Sequence, residues 1–436
     1  MTLSPFSSDG DARAVEGGTF AGGRLIALLF GLFLVNALSQ VDRILPFILA
    51  ESIRRDLNLS DTQIGLVTGL AFAVCYALLS LPLARAADRG SPRGVLVGCI
   101  GLWSAMTALG GLATGFLTLA LTRFGVAFGE AGAIPAGHAL IARKVPIKRR
   151  GLALGVFSMG IPLGTMAGFV LGGVLDQAIG WRWTFFAAGG LGLGVALLTF
   201  VVAGPTPRLS RRATDPTFLR SAGKLLRGSA FRGLVLAALL MGFAAAPFYA
   251  FMPSFLIRTH GFSSGEAGLT IGLLQGLMGV AGAILGGRGF DRTVRAGSRR
   301  LLSYPGLVFL IGAATTAVAL NVPQGWLAAA LLSPAMFGFS YMLPWGFGAA
   351  HLLAGRGKEA LASSLVVIAT GLFGPALGPV LVGVVSDLAA GVGRPNGLGL
   401  ALLLVPITSL LTGWALIRAD RRLAAARAEA DAAFGP

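Results

Sequence analysis

The sequence predicts an all-α membrane protein of twelve transmembrane helices arranged as two pseudo-symmetric six-helix bundles. Three observations carry this expectation: 55% of the 436 residues are hydrophobic and 12% charged, apolar runs of spanning length recur from Leu25 to Leu416, and a residue pattern in the first half returns in the second. Soluble domains carry roughly 25% charged residues, so water cannot be the solvent for most of this surface. A hydrocarbon core about 30 Å thick needs about 20 apolar residues per helix.

Breaks in hydropathy and charge place spans near 25–49, 62–84, 94–113, 117–141, 151–175, 183–203, 231–257, 267–286, 301–320, 325–350, 359–385 and 397–418. The domains expected from them are an N-terminal tail at 1–23, a first bundle at 24–203, a linker at 204–230, a second bundle at 231–418 and a C-terminal tail at 419–436. The tail before span 1 carries Asp9, Asp11 and Glu16 and no long apolar stretch, so it reads as a solvated tail and not as a cleaved signal.

The formal charge of +17 would suggest a nucleic-acid partner in a soluble protein, but here its distribution reports topology. With the N-terminus inside, most basic residues fall on inside loops: Arg85 to Arg93, Arg143 to Arg150, Arg208 to Arg232, Arg288 to Arg300 and Arg418 to Arg427. Arg54, Arg55, Arg182, Arg258 and Arg394 are left for outside loops. The positive-inside rule then puts both termini in the cytoplasm of a multi-pass inner or plasma membrane protein. The expected partners are the bilayer and a small-molecule or lipid substrate, with no nucleic acid, and the chain is expected to be a monomer. Cys75 and Cys99 fall inside spans and imply neither disulfide nor metal site.

The polar segment Gly204 to Arg232, with Pro205, Pro207 and Pro216, divides the chain near its middle. Ser60, Gly65, Leu66, Asp88 and Arg89 are matched 203 residues later by Ser263, Gly268, Leu269, Asp291 and Arg292, and Gly160, Gly172 and Asp176 are matched by Gly371, Gly383 and Asp387 at an offset of 211. Duplicated bundles joined by a linker place a binding site between them near mid-membrane, opened to each side in turn by rocking. After span 2, Ala84-Arg85-Ala86-Ala87-Asp88-Arg89 is similar to the G-x-L-A-D-R loop of the major facilitator superfamily, with Ala84 in place of its glycine, and Gly287 to Arg292 repeats that loop. Asp42-Arg43 with Pro46, the run Asp56 to Gly65, and Gly129-Glu130-Ala131 with Pro135 resemble spinster-like lipid transporters within that superfamily. The resemblance covers roughly residues 24 to 418. It implies a secondary transporter of amphiphilic, lipid-like solutes such as lysophospholipids or sphingolipid-like molecules; an organic anion is the other solute expected.

Ionisable side chains at bilayer depth are costly, about 3 kcal/mol on insertion scales, so each needs a partner or a wet cavity. Asp42, Arg43, Arg123 and Glu130 are the candidates for proton coupling. Arg123 and Glu130, seven residues apart, share one helix face. Asp42 and Arg43 diverge by about 100° around theirs, which suggests Asp42 with Arg123 and Arg43 with Glu130. A static set of ion pairs locking the first bundle is the plainer alternative. In the sharper one, Glu130 and Asp42 take up protons and exchange Arg43, so that proton uptake biases the rocking.

The second half has no such charges. Its wall is expected from Phe243, Phe248, Tyr249, Met252, Gln275, Met278, Tyr341 and Trp345, which with Arg43 and Glu130 form the candidate substrate site, though any of the aromatics could instead pack or face lipid. Asp88, Arg89, Asp291 and Arg292 are expected as gate latches at helix ends. Gly160, Gly164, Gly168 and Gly172 make a smooth stripe for close helix packing on span 5. His138, His260 and His351 are too scattered for a metal, and nothing resembles a nucleotide loop or a catalytic triad. The chain is therefore expected to be neither an enzyme nor a cofactor protein, with a proton gradient as its coupling source. A multidrug or small-metabolite proton antiporter of the same superfamily is the runner-up, and a membrane receptor or enzyme the more distant alternative.

Overall fold

The computed structural model describes residues 20, 22–205, 218–298, 300–354, 359–394 and 396–433, with backbone alone at 81, 88, 89, 147, 218–221, 224, 359, 360 and 423–433. Ten described helices are long and apolar enough to cross a membrane. One of them, Arg150–Ala203, is two crossings joined at Gly180, whose φ of 81° is a turn that glycine adopts without strain. With the 17-residue helix Ser303–Ala319, which at about 1.5 Å per residue also reaches across the hydrocarbon core, the crossings number twelve.

They are α1 (Gly22–Ile48), α2 (Asp61–Ala87), α3 (Pro92–Gly110), α4 (Phe116–Lys144), α5 (150–179), α6 (181–203), α7 (Ser229–His260), α8 (Ser264–Arg295), α9 (Ser303–Ala319), α10 (Gly325–Ala354), α11 (Leu361–Gly391) and α12 (Gly397–Arg422). An even number of crossings brings both chain ends to one side, called here the terminal face; the other is the far face. Arg258, expected in a loop, is instead in the last turn of α7, because Gly261 with φ 71° ends that helix only after His260. The polar linker is likewise partly helical, over Phe218–Arg227.

The repeated serines act as helix starters. Ser60 Oγ accepts from Gln63 N at 3.2 Å while Ser60 N donates to Gln63 Oε1 at 3.0 Å, and Ser263 and Glu266 make the same reciprocal pair at 3.1 and 2.9 Å. Two otherwise unsatisfied amides are met at the start of both α2 and α8. The outer surface is apolar, with Leu78, Leu117, Leu197, Val201 and Leu277 exposed. This is stable only against lipid.

In the first half α1 lies along α5, and α3 against α4 and α6; in the second α7 and α9 pack on α12, and α8 on α10. The glycine stripe explains the α1–α5 approach. A Cβ at Gly164 would lie 2.8 Å from the Ala37 carbonyl carbon, and one at Gly160 would lie 2.7 Å from Ala37 N. The halves meet along two edges, α2 with α11 and α5 with α8. Both are closest toward the far face, whereas Gly151 and Gly155 on α5 and Gly287 on α8, toward the terminal face, have open space around them.

Candidate functional site

The four charges expected at depth come together in the first half. Asp42 and Glu130 are fully buried, and Arg123 nearly so. The Arg43 side chain, by contrast, is 27% exposed. Arg43 Nε donates to Glu130 Oε2 at 2.5 Å, and Ser39 Oγ, one turn earlier on α1, donates to the same oxygen at 3.2 Å. The guanidinium lies over the rings of Phe72 and Tyr76, 5.0 and 4.7 Å from their centroids. Phe72 also faces Arg123, at 5.9 Å. Two aromatic residues four apart on α2 thus form the wall on which Arg43 rests, a favourable placement for a planar cation.

Of the two pairings expected from helix geometry, Arg43 with Glu130 is present and Asp42 with Arg123 is not a direct contact. Both Asp42 oxygens and the Nε and Nη1 atoms of Arg123 are buried without a hydrogen-bond partner among the described residues. The Asp42 carboxyl turns toward Trp103 and Thr107 of α3, near both but outside hydrogen-bond geometry. Its position one residue before Arg43 forces this: when Arg43 faces α2 and α4, Asp42 is rotated by about 100° toward α3. Arg123 stays within electrostatic range of both Asp42 and Glu130. Ser39, Phe72, Tyr76, Trp103 and Thr107 were missed in the sequence, where each is an ordinary residue of an apolar helix.

The second-half candidates divide. Tyr249 Oη donates to Gln275 Oε1 at 2.6 Å, joining α7 to α8, and its ring lies 6.3 Å from Phe169 of the first half. Phe243, Met278 and Tyr341 are half-buried. Met252, Phe248 and Trp345 are buried in the apolar core, where Trp345 packs against Phe290, Tyr304 and Tyr341. Asp291 and Arg292 are exposed and make no ion pair among the described residues, and the side chains of Asp88 and Arg89 lie outside those described.

A second charged cluster, not singled out from the sequence, lies at the far face. Arg258 of α7 reaches across to the first half, with Nε 2.5 Å from Glu51 Oε2 and Nη1 and Nη2 at 2.7 and 2.6 Å from the two oxygens of Asp61. Ser386 of α11 donates to Asp61 at 2.6 Å. Asp387 accepts from the Asp61 and Thr62 amides at 3.0 and 2.9 Å and from Thr62 Oγ1 at 2.6 Å, placing a carboxylate on the N-terminus of α2, where the helix dipole favours it. Burial alone would push the pKa of Glu51 up, but hydrogen bonds from Arg54 and Arg258 and their charges outweigh it and hold the carboxyl below the usual carboxylate range. The match of Asp387 to Asp176 in the repeat was the available signal for this cluster.

Residues 28–379 match the family described as Major Facilitator Superfamily. The chain belongs to the major facilitator superfamily. Among similar proteins, an MFS-type efflux pump of Mycolicibacterium smegmatis is 38% identical over 386 residues, 88% of this chain and 89% of that one. A probable L-galactonate transporter of Escherichia coli is 24% identical over 375 residues, 82% of each chain. The crystal structure of a bacterial homolog to the human lysosomal transporter Spinster, in an inward-facing and unoccupied conformation, is 25% identical with a TM-score of 0.82, covering 93% of this chain and 98% of that one. The same homolog in an inward-facing and occupied conformation gives 0.79 at 26% identity. This superfamily member is a multi-pass membrane transporter of spinster-like structure, and transporters of this superfamily move solutes without chemically converting them.

Proposed function

We propose that this chain is a proton-linked secondary transporter that works by alternating access and moves an amphiphile with an anionic head group, a lysophospholipid or similar lipid-like solute, or an organic anion. It is seated as a monomer in the cell inner membrane, terminal face and both chain ends cytoplasmic, and needs no cofactor beyond the proton gradient. The exposure of Arg43 carries this reading. Three members of the ionic quartet are shut away from solvent, while the fourth, Arg43, has a side chain 27% exposed that rests on an aromatic shelf, with its Nη2 unpaired among the described residues. A carboxylate or phosphate entering between the halves meets Arg43 first and competes with Glu130 for it. A proton on Glu130 weakens the existing pair, so solute binding and protonation become linked through one shared cation. The neutral Tyr249–Gln275 pair and the apolar residues around it suit the uncharged part of such a solute.

A second reading, a multidrug or small-metabolite proton antiporter, is favoured by the likeness to the mycobacterial efflux pump. Flux into proteoliposomes separates the two. Under imposed pH gradients, a single-chain lysophospholipid should be moved and a lipophilic cation such as ethidium left behind. Ethidium movement without lysophospholipid movement would replace the first reading by the second.

A further inference from the structure

The two edges along which the halves meet are built differently. At the α2–α11 edge the contact is close, with a Cβ at Gly69 falling 2.6 Å from Pro375 O, and it is tied by charge: Arg258 grips Glu51 and Asp61, and Asp387 caps α2. The ledge that Arg258 grips is itself fixed to the first half. In the short helix Ala50–Leu57, Ser52 donates to Asp176 at 2.6 Å, and Asp56 takes Arg182 at 2.8 Å and Trp181 Nε1 at 3.2 Å. Both helices of this edge also carry a π-helical turn where the close contact ends, Leu66–Leu70 on α2 and Ala369–Phe373 on α11, a local irregularity at which helices bend.

The α5–α8 edge has a different character. Gly173, Gly268, Gly272 and Gly276 let the backbones meet, with a Cβ at Gly268 3.0 Å from Gly173 Cα and one at Gly272 2.7 Å from the Val170 side chain. Asp176, beside this edge, is held by Ser52 of its own half and meets the neutral hydroxyl of Ser264 across it. α8 runs unbroken from Ser264 to Arg295. Short-range apolar contact between small residues tolerates a small rotation with little change in energy, whereas a guanidinium held by two carboxylates is either seated or released.

We propose that Arg258 is the positioning residue that keeps the far face shut, and that this face opens unevenly: the α2–α11 edge parts when Arg258 leaves Glu51 and Asp61, while the α5–α8 edge stays in contact and serves as the hinge. The inference holds whichever solute is carried. Spin labels at Leu57→Cys and Val392→Cys report the locked edge, and labels at Ala178→Cys and Leu269→Cys the hinge edge, each in a background with Cys75 and Cys99 replaced by alanine. In the purified full chain, Arg258→Gln should raise the longer-distance population of the first pair severalfold and leave the second pair unchanged. The double variant Glu51→Gln, Asp61→Asn should do the same without touching Arg258, and the triple variant should add little, since all three remove one interaction. Arg258→Lys, which keeps the charge, should restore most of the closed population. Equal lengthening at both pairs, lengthening at the hinge pair alone, no change at either pair, or full additivity in the triple variant would overturn the proposal.

Discussion

Arg43 does more than neutralise Glu130. A lysine in its place keeps the charge but loses the flat contact with Phe72 and Tyr76 and the directed Nε bond. Arg43→Lys is expected to raise KM for an anionic solute roughly tenfold, about 1.4 kcal/mol, with a smaller effect on kcat. Initial rates over a solute series in proteoliposomes measure that split. The quartet was legible in the sequence because charge in an apolar helix must be accounted for, and seven-residue spacing put Arg123 and Glu130 on one face. Its internal wiring was not: whether Asp42 meets Arg123 or turns to Trp103 and Thr107 depends on where α3 sits, which no local pattern encodes.

At the scale of an element, the glycine stripe of α5 was read as a packing surface, and its consequence is now specific. Gly164→Val places a branched side chain where even a Cβ would stand 2.8 Å from the Ala37 carbonyl carbon and closer still to its oxygen, so α1 must move. Overpacking of this kind costs about 1–3 kcal/mol. It should appear as a lower Tm in detergent, whereas Gly155→Val, in open space, should leave Tm unchanged. The far-face latch gives a second prediction. Glu51 titrates below the usual carboxylate range, so its folded form is the more acidic one and its contribution is present above the ordinary value of 4.5. That contribution is lost only as pH falls through the lower, folded value. The far-face distance between labels at 57 and 392 should therefore be the same at pH 7 and pH 5 and lengthen under stronger acid; lengthening already at pH 6 would mean that Glu51 is not held as described. The latch escaped the sequence because Glu51, Asp61 and Arg258 looked like loop residues, and loop charges on different elements carry no mark of their distance in the fold.

The whole molecule was the most legible scale. Twelve crossings follow from hydropathy and charge, and the duplication follows from Ser60 and Ser263, which recur because each starts a helix that the other half must meet. Sequence could not supply which face is closed, since that depends on contacts between α2 and α11 and between α5 and α8, hundreds of residues apart. With the far face latched by Arg258, a solute held between the halves must wait for Arg258 to release before it leaves by that face. The central claim, that one buried carboxylate ties proton movement to solute movement, is tested most directly with a pH-sensitive dye inside proteoliposomes. Addition of a transported lysophospholipid should move protons through the unaltered chain, and Glu130→Gln should reduce that proton movement at least tenfold while solute still binds. Solute crossing at an undiminished rate with no proton movement in either protein would contradict the account.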